Sequence, residues 1–135
     1  MTGAPIRVLL VDDSSSQRDG YRTLLGSQPD IEVIGQAGNG AQALGILRRT
    51  GADVVLMDVQ MPRVNGFVAT ERILGDADVR AAGGPPRIVL LTAVDLDDHV
   101  PAAAVAGAYA IVYKDVDPEL LFTVVREAAE ARVDS

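Results

Sequence analysis

Five short runs of apolar residues divide the chain, and between them the apolar positions recur at helical spacing. The runs are Ile6–Val11, Ile31–Ala37, Asp53–Met57, Arg87–Thr92 and Ala108–Tyr113. Three of them (VLLV, DVVLM and RIVLL) are nearly continuously apolar, the pattern of strands covered on both faces. The intervening segments carry helix signals. Ser14 with Gln17, and Asn39 with Gln42, have capping-box spacing. Asp117 before Pro118 sets a cap residue ahead of a proline at the first helical position. From Pro118 to about Val133, residues Leu120, Leu121, Val124, Val125 and Ala128 form one apolar stripe. Gly51 and Gly107 fall where helices should stop. Residues 75–86, GDADVRAAGGPP, read as a frayed helix end followed by a loop. Pro101 lies inside the expected fourth helix and disfavours α geometry at Val100. That helix is therefore expected to start late, or to carry the proline in its first turn. The AAAVAGA that follows offers little packing area, which predicts a mobile helix.

Strict alternation of strand and helix predicts one α/β domain spanning residues 1–135, a doubly wound (βα)5 sandwich with right-handed crossovers. For five parallel strands the flavodoxin-like order 2-1-3-4-5 is expected, with a crevice at the carboxyl ends of strands 1 and 3. A length of 135 residues suits a single core. The absence of cysteine excludes disulfides, thiolate metal sites and a cysteine nucleophile. A net charge of −7 argues against binding nucleic acid through bulk charge. Ile6–Val11 is too short for a signal-peptide core or a membrane span, so a cytoplasmic location is expected.

The charged residues gain meaning once they are placed on this frame. Asp12 and Asp13 end strand 1, Asp58 ends strand 3, Thr92 ends strand 4, and Lys114, the only lysine, ends strand 5. All five should face one crevice. Two unit charges about 4 Å apart repel by ~4 kcal/mol at an effective dielectric of about 20, which is roughly three pKa units. Either one acid is protonated at neutral pH or a cation neutralises the cluster. Carboxylate oxygens without histidine or cysteine favour Mg²⁺ or a similar hard ion. The only histidine, His99, lies in the fourth-helix segment and reads as a surface residue. A metal beside a carboxylate invites a phosphoryl group, and Asp58 can attack phosphorus to form an acyl phosphate. Lys114 would then supply a compact positive charge and Thr92 a hydroxyl donor, with small Ala93 leaving room. Ser14–Ser16 also suit a flavin phosphate loop, but two aspartates just before them would repel that phosphate.

These residues stand in stretches that resemble the receiver domain of two-component response regulators: VLLVDDSSSQR, DVVLMDVQMPRVNGF, IVLLTA and AYAIVYKD. With the spacings between them, the resemblance covers essentially the whole chain. The combination of Asp12 and Asp13, Asp58, Met61-Pro62 with Gly66, Thr92 and Lys114 carries it. It implies that Asp58 is the phosphoacceptor. Asp13 and Asp58 would bind Mg²⁺ directly, Asp12 mainly through water, and the backbone carbonyl of Gln60 would complete the protein ligands. Thr92 and Lys114 would contact the phosphoryl oxygens, and a sensor histidine kinase would be the donor. Phosphorylation would shift the face formed by helix 4, strand 5 and helix 5, commonly toward a homodimer. Catalysis would extend only to the domain's own phosphorylation and dephosphorylation. The tail YKDVDPELLFTVVREAA resembles receivers that carry a LuxR-type helix-turn-helix output domain, which implies transcriptional regulation. The sequence contains no such DNA-binding domain, so a single-domain regulator and a receiver cut from a longer protein are both open.

Three departures from the family pattern stand out. Asn65 replaces a common aspartate, and Asp115 stands where proline often follows the lysine. Ile111 occupies a place where an aromatic switch residue is common. Alternation puts Tyr109, Ile111 and Tyr113 on one strand face, so a neighbouring tyrosine is a candidate for the coupling role. The plainer expectation is that these tyrosines pack under an adjacent helix. Ile111 and Pro101 keep open a receiver fold used as a phosphorylation-independent interaction module. A Mg²⁺-dependent phosphohydrolase is a further rival, but no second acid–base residue is placed to drive turnover.

Overall fold

The computed structural model describes residues 4–94 and 96–134, with side chains to 132. Its strands are β1 (Ile6–Val11), β2 (Ile31–Ala37), β3 (Val54–Asp58), β4 (Arg87–Thr92) and β5 (Ala110–Tyr113). Its helices are α1 (Ser15–Gly26), α2 (Gly40–Thr50), α3 (Gly66–Gly75), α4 (Ala77–Ala81), α5 (Leu96–Ala106) and α6 (Pro118–Asp134). The strands form one parallel sheet in the order β2-β1-β3-β4-β5, as the alternation predicts.

The continuous apolar strands are explained by two cores, one on each face. Leu9, Val11, Val55, Met57, Ile88 and Leu90 face α2, α3 and α5, where they meet Ala43, Leu47, Ala69, Ile73 and Ala103. Their immediate neighbours Val8, Leu10, Val54, Leu56, Val89 and Leu91 face α1 and α6, where they meet Leu25, Leu121, Phe122, Val125 and Ala128. Successive side chains of a strand point to opposite faces, so a strand buried on both sides has no polar position to offer.

Helix ends follow the cap chemistry of the sequence. Asn39 Oδ1 accepts from the Gln42 amide at 2.9 Å, and Asp117 Oδ1 from the Glu119 amide at 2.9 Å. Gly51 and Gly107 close α2 and α5 with φ of 67° and 96°, a backbone region that favours glycine. Two expectations about the helices need correction. Residues 77–81 are helical rather than loop, because Asp76 caps them by accepting from the Val79 amide at 3.0 Å while pairing with Arg48 of α2. This inserts a helix, so the face expected at helix 4, strand 5 and helix 5 is α5–β5–α6. Pro101 is the sixth residue of α5, neither in a first turn nor ahead of a late start.

The amino-terminal edge of the sheet is pinned. Asp53 accepts from the Arg7 amide and from Arg132 of α6, both at 2.9 Å. Arg132 also donates to the carbonyls of Gly83 and Pro85, tying down the loop before β4. Among the described residues, no helix is long and apolar enough to cross a membrane.

Candidate functional site

The opposite, carboxyl edge gathers the acids. Asp12 and Asp13 follow β1 and Asp58 ends the central strand β3. One carboxylate oxygen from each lies within 4.8 Å of the others, a spacing that can hold a metal ion. Asp12 and Asp58 are each only 4% exposed, whereas Asp13 opens to solvent. Gly66 keeps the loop after β3 tight: its amide donates to the Val59 carbonyl at 2.8 Å, and a Cβ there would stand 2.5 Å from the Asp58 carbonyl oxygen.

Each buried carboxylate has one oxygen anchored by backbone. Asp12 Oδ1 accepts from the Ser14 amide at 2.9 Å, and Asp58 Oδ1 from the Gln60 amide at 3.0 Å. The second oxygens face Lys114, whose Nζ lies 3.0 Å from Asp58 Oδ2 and 3.5 Å from Asp12 Oδ2. Asp12 Oδ2 is buried and accepts no hydrogen bond; the lysine reaches it only at ion-pair distance. Burial pushes the Asp12 carboxyl above its ordinary value. Repulsion from Asp58 and Asp13 adds to this, while the Ser14 amide and the Lys114 charge pull the other way. The donors of this set are carboxylates alone, the chemistry of a hard divalent cation.

Thr92 is fully buried at the end of β4, but its hydroxyl does not point at the acids. It donates to the Val94 carbonyl at 2.6 Å and accepts from the Val94 amide at 3.3 Å, closing on its own loop. Ile111 is half-buried against the core under α5. Tyr109 and Tyr113, expected to pack under an adjacent helix, are instead 40% and 41% exposed, at or just beyond the two ends of the short strand β5. His99 is also corrected. It is half-buried rather than on the surface, its Nε2 has no partner, and its ring lies 5.4 Å from that of Phe67 in α3.

Two residues beside Lys114 escape the sequence reading. Gln17 Oε1 accepts from Lys114 Nζ at 2.7 Å, and the Tyr21 hydroxyl donates to the Lys114 carbonyl at 3.0 Å. Burial and the nearby Asp12 and Asp58 push the Tyr21 phenol up to about 12. Their spacing of four, on one helix that follows the acidic pair, is the signal that points to them.

The chain belongs to the response regulator receiver domain family, which it matches over residues 8–126. It is 39% identical over 124 residues to the uncharacterized transcriptional regulatory protein YxjL of Bacillus subtilis (strain 168), covering 92% of this chain and 54% of YxjL. It is 35% identical over 126 residues to the nitrate/nitrite response regulator protein NarP of Escherichia coli (strain K12), covering 93% of this chain and 56% of NarP. The chain thus spans about half the length of these curated relatives. Among solved structures it is similar to the signal receiver domain of the response regulator NarL from Mycobacterium tuberculosis. There the TM-score is 0.82 at 28% identity, with 95% of this chain and 98% of that one covered.

Proposed function

We propose that Asp58 accepts a phosphoryl group, with Mg²⁺ held by Asp12, Asp13, Asp58 and the Gln60 backbone carbonyl. The observation that carries this reading is the Lys114 ammonium 3.0 Å from Asp58 Oδ2, beside a buried Asp12 oxygen with no hydrogen-bond donor. A bound Mg²⁺ would supply the positive charge that offsets the carboxylates and the phosphoryl oxygens. The donor is a phosphohistidine of a sensor histidine kinase in the cytoplasm. An Asp58 oxygen bonds to phosphorus as the phosphorus–nitrogen bond breaks, and the leaving imidazole takes up a proton. Lys114 donates to the phosphoryl oxygens, and Thr92 exchanges its bond to Val94 for one to the phosphoryl group. The loop into α5 moves with it, and the α5–β5–α6 face, with Ile111 and Tyr113 on its strand and Tyr109 just before it, favours a homodimer or an output domain for transcriptional regulation. The domain acts on no other substrate, which makes it a switch rather than a turnover enzyme.

Incubation with Mg²⁺ and a small acyl-phosphate donor tests this. The expected result is a mass gain of one phosphoryl group in the wild type and none in Asp58→Asn. A wild type that gains nothing from any donor would support the interaction-module reading instead.

A further inference from the structure

Lys114 is held at both ends by a single helix. Its ammonium makes its shortest polar contact with Gln17 Oε1 at 2.7 Å, and its backbone carbonyl accepts from the Tyr21 hydroxyl at 3.0 Å. Gln17 and Tyr21 lie four residues apart and so share one face of α1. Capping-box spacing would send the Gln17 side chain back to the Ser14 amide. Half of that box forms, since Ser14 Oγ accepts from the Gln17 amide at 3.3 Å. The other half does not, because Asp12 Oδ1 already occupies the Ser14 amide. Gln17 is left free to reach across to the lysine. The carboxylate that ends β1 thus releases the side chain that holds the end of β5.

Lysine is a point charge on a flexible stem, and the rotamer entropy of that stem opposes fixing it in one place. Its carboxylate contacts fix it only while those oxygens remain free. The Gln17 oxygen is different, because it is neutral and lies outside the acidic set. It orders one N–H without neutralising the charge, and it remains available when a cation or a phosphoryl group occupies the carboxylates. Tyr21 fixes the base of the stem in the same way, and its raised phenol keeps it a donor across the working pH range.

We propose that Gln17 and Tyr21 are positioning residues that hold Lys114 toward Asp58 for phosphoryl transfer, so that α1 sets the reactivity of the site. This rests on the reading of Asp58 as phosphoryl acceptor. Orientation of this kind acts on rate by holding the charge where the reacting group arrives.

The sequence supplies its own probe. Lys114 is the only lysine, so protein made with lysine labelled at Cε and Nζ gives one side-chain signal in nuclear magnetic resonance. Gln17→Met keeps the stem and the helix but removes the acceptor, and Gln17→Glu restores an acceptor. Tyr21→Phe removes only the hydroxyl. In Q17M the Lys114 signal should report a more mobile side chain. Phosphoryl uptake from a small acyl phosphate should slow threefold or more, with Mg²⁺ affinity within twofold of wild type. In Q17E the ordered signal should return. Y21F should slow uptake as well, and the double variant Q17M/Y21F more than either. A merely structural role would lower the unfolding midpoint and leave both the lysine signal and the rate in place. The proposal is overturned if the Lys114 signal in Q17M is as ordered as in wild type, or if uptake is unchanged in both single variants. A wild type that takes up no phosphoryl group, while its lysine still loosens in Q17M, overturns the phosphoryl reading and leaves the hold on Lys114.

Discussion

The loop after Asp58 depends on two backbone positions. Gly66 lies so close to the Asp58 carbonyl that a Cβ would meet it at 2.5 Å and the Val59 Cα at 3.0 Å. Gly66→Ala therefore has to displace the residue that carries the candidate chemistry. Overpacking of this kind costs about 1–3 kcal/mol, to be read as a lower urea midpoint at unchanged slope. Slower phosphoryl uptake should accompany it. Arg63 presents the opposite case. It centres a three-residue turn closed by the Val64 amide and the Pro62 carbonyl at 2.8 Å, with φ of 69°. A side chain in that region costs roughly 1–2 kcal/mol, partly offset in glycine by greater freedom of the unfolded chain. Arg63→Gly should raise the urea midpoint slightly. Gln60 is exposed two residues past Asp58, where it can tune the attack of water. Gln60→Ala should change the acyl-phosphate lifetime, and an unchanged lifetime would defeat that role.

At the scale of elements, α5 is the weak member. It buries only Ala103 and Ala106, while Val100 and Val105 stay exposed. Pro101 removes an amide from its second turn and opposes the preceding geometry. Amide exchange across 97–106 should therefore be faster than in β1 and β3, and protection equal to those strands would overturn the expectation. The strands, the sheet order, most caps and the glycine stops were legible because each depends on neighbours within a few residues or on a strict period. The acidic set was legible because parallel topology sends every strand's carboxyl end to one edge. Three features were not. Helix α4 depends on Asp76 meeting Arg48, a contact across 28 residues. His99 packs on Phe67 through a helix pairing that no local pattern encodes. The Gln17–Lys114 bond spans 97 residues and exists only because Asp12 took the cap that Gln17 would have served.

Across the whole molecule, one edge of the sheet is neutralised by built-in pairs and the other is left short of positive charge. At the pinned edge, Asp53 meets Arg132 at 2.9 Å. At the open edge three acids cluster, and Lys114 pairs with only two of them, Asp12 and Asp58. Asp12 has a raised pKa, so its ionisation costs the fold stability above that value, and the cost is lifted as pH falls through it. Asp12→Asn should therefore be more stable than wild type in metal-free buffer at pH 7, with the difference shrinking toward pH 4. Adding Mg²⁺ should reverse the order. A ligand at a hundred times its Kd stabilises by about 2.7 kcal/mol, and D12N should gain much less than wild type; urea unfolding with and without Mg²⁺ measures both. The half-buried Asp76 behaves in the opposite sense. Arg48 lowers its carboxyl to about 2, so its contribution is present above the ordinary carboxylate range and is lost as pH falls through about 2.

The Thr92 hydroxyl, donating to and accepting from Val94, bears on how quiet the proposed switch is when no signal arrives. A resting state with a dangling hydroxyl would have nothing to lose by wandering into the signalling shape. Here the loop must first give up a satisfied bond, and a net hydrogen bond is worth about 1 kcal/mol. That is roughly a fivefold suppression of spurious output. The same bond that delays the response lowers the background against which a response is heard.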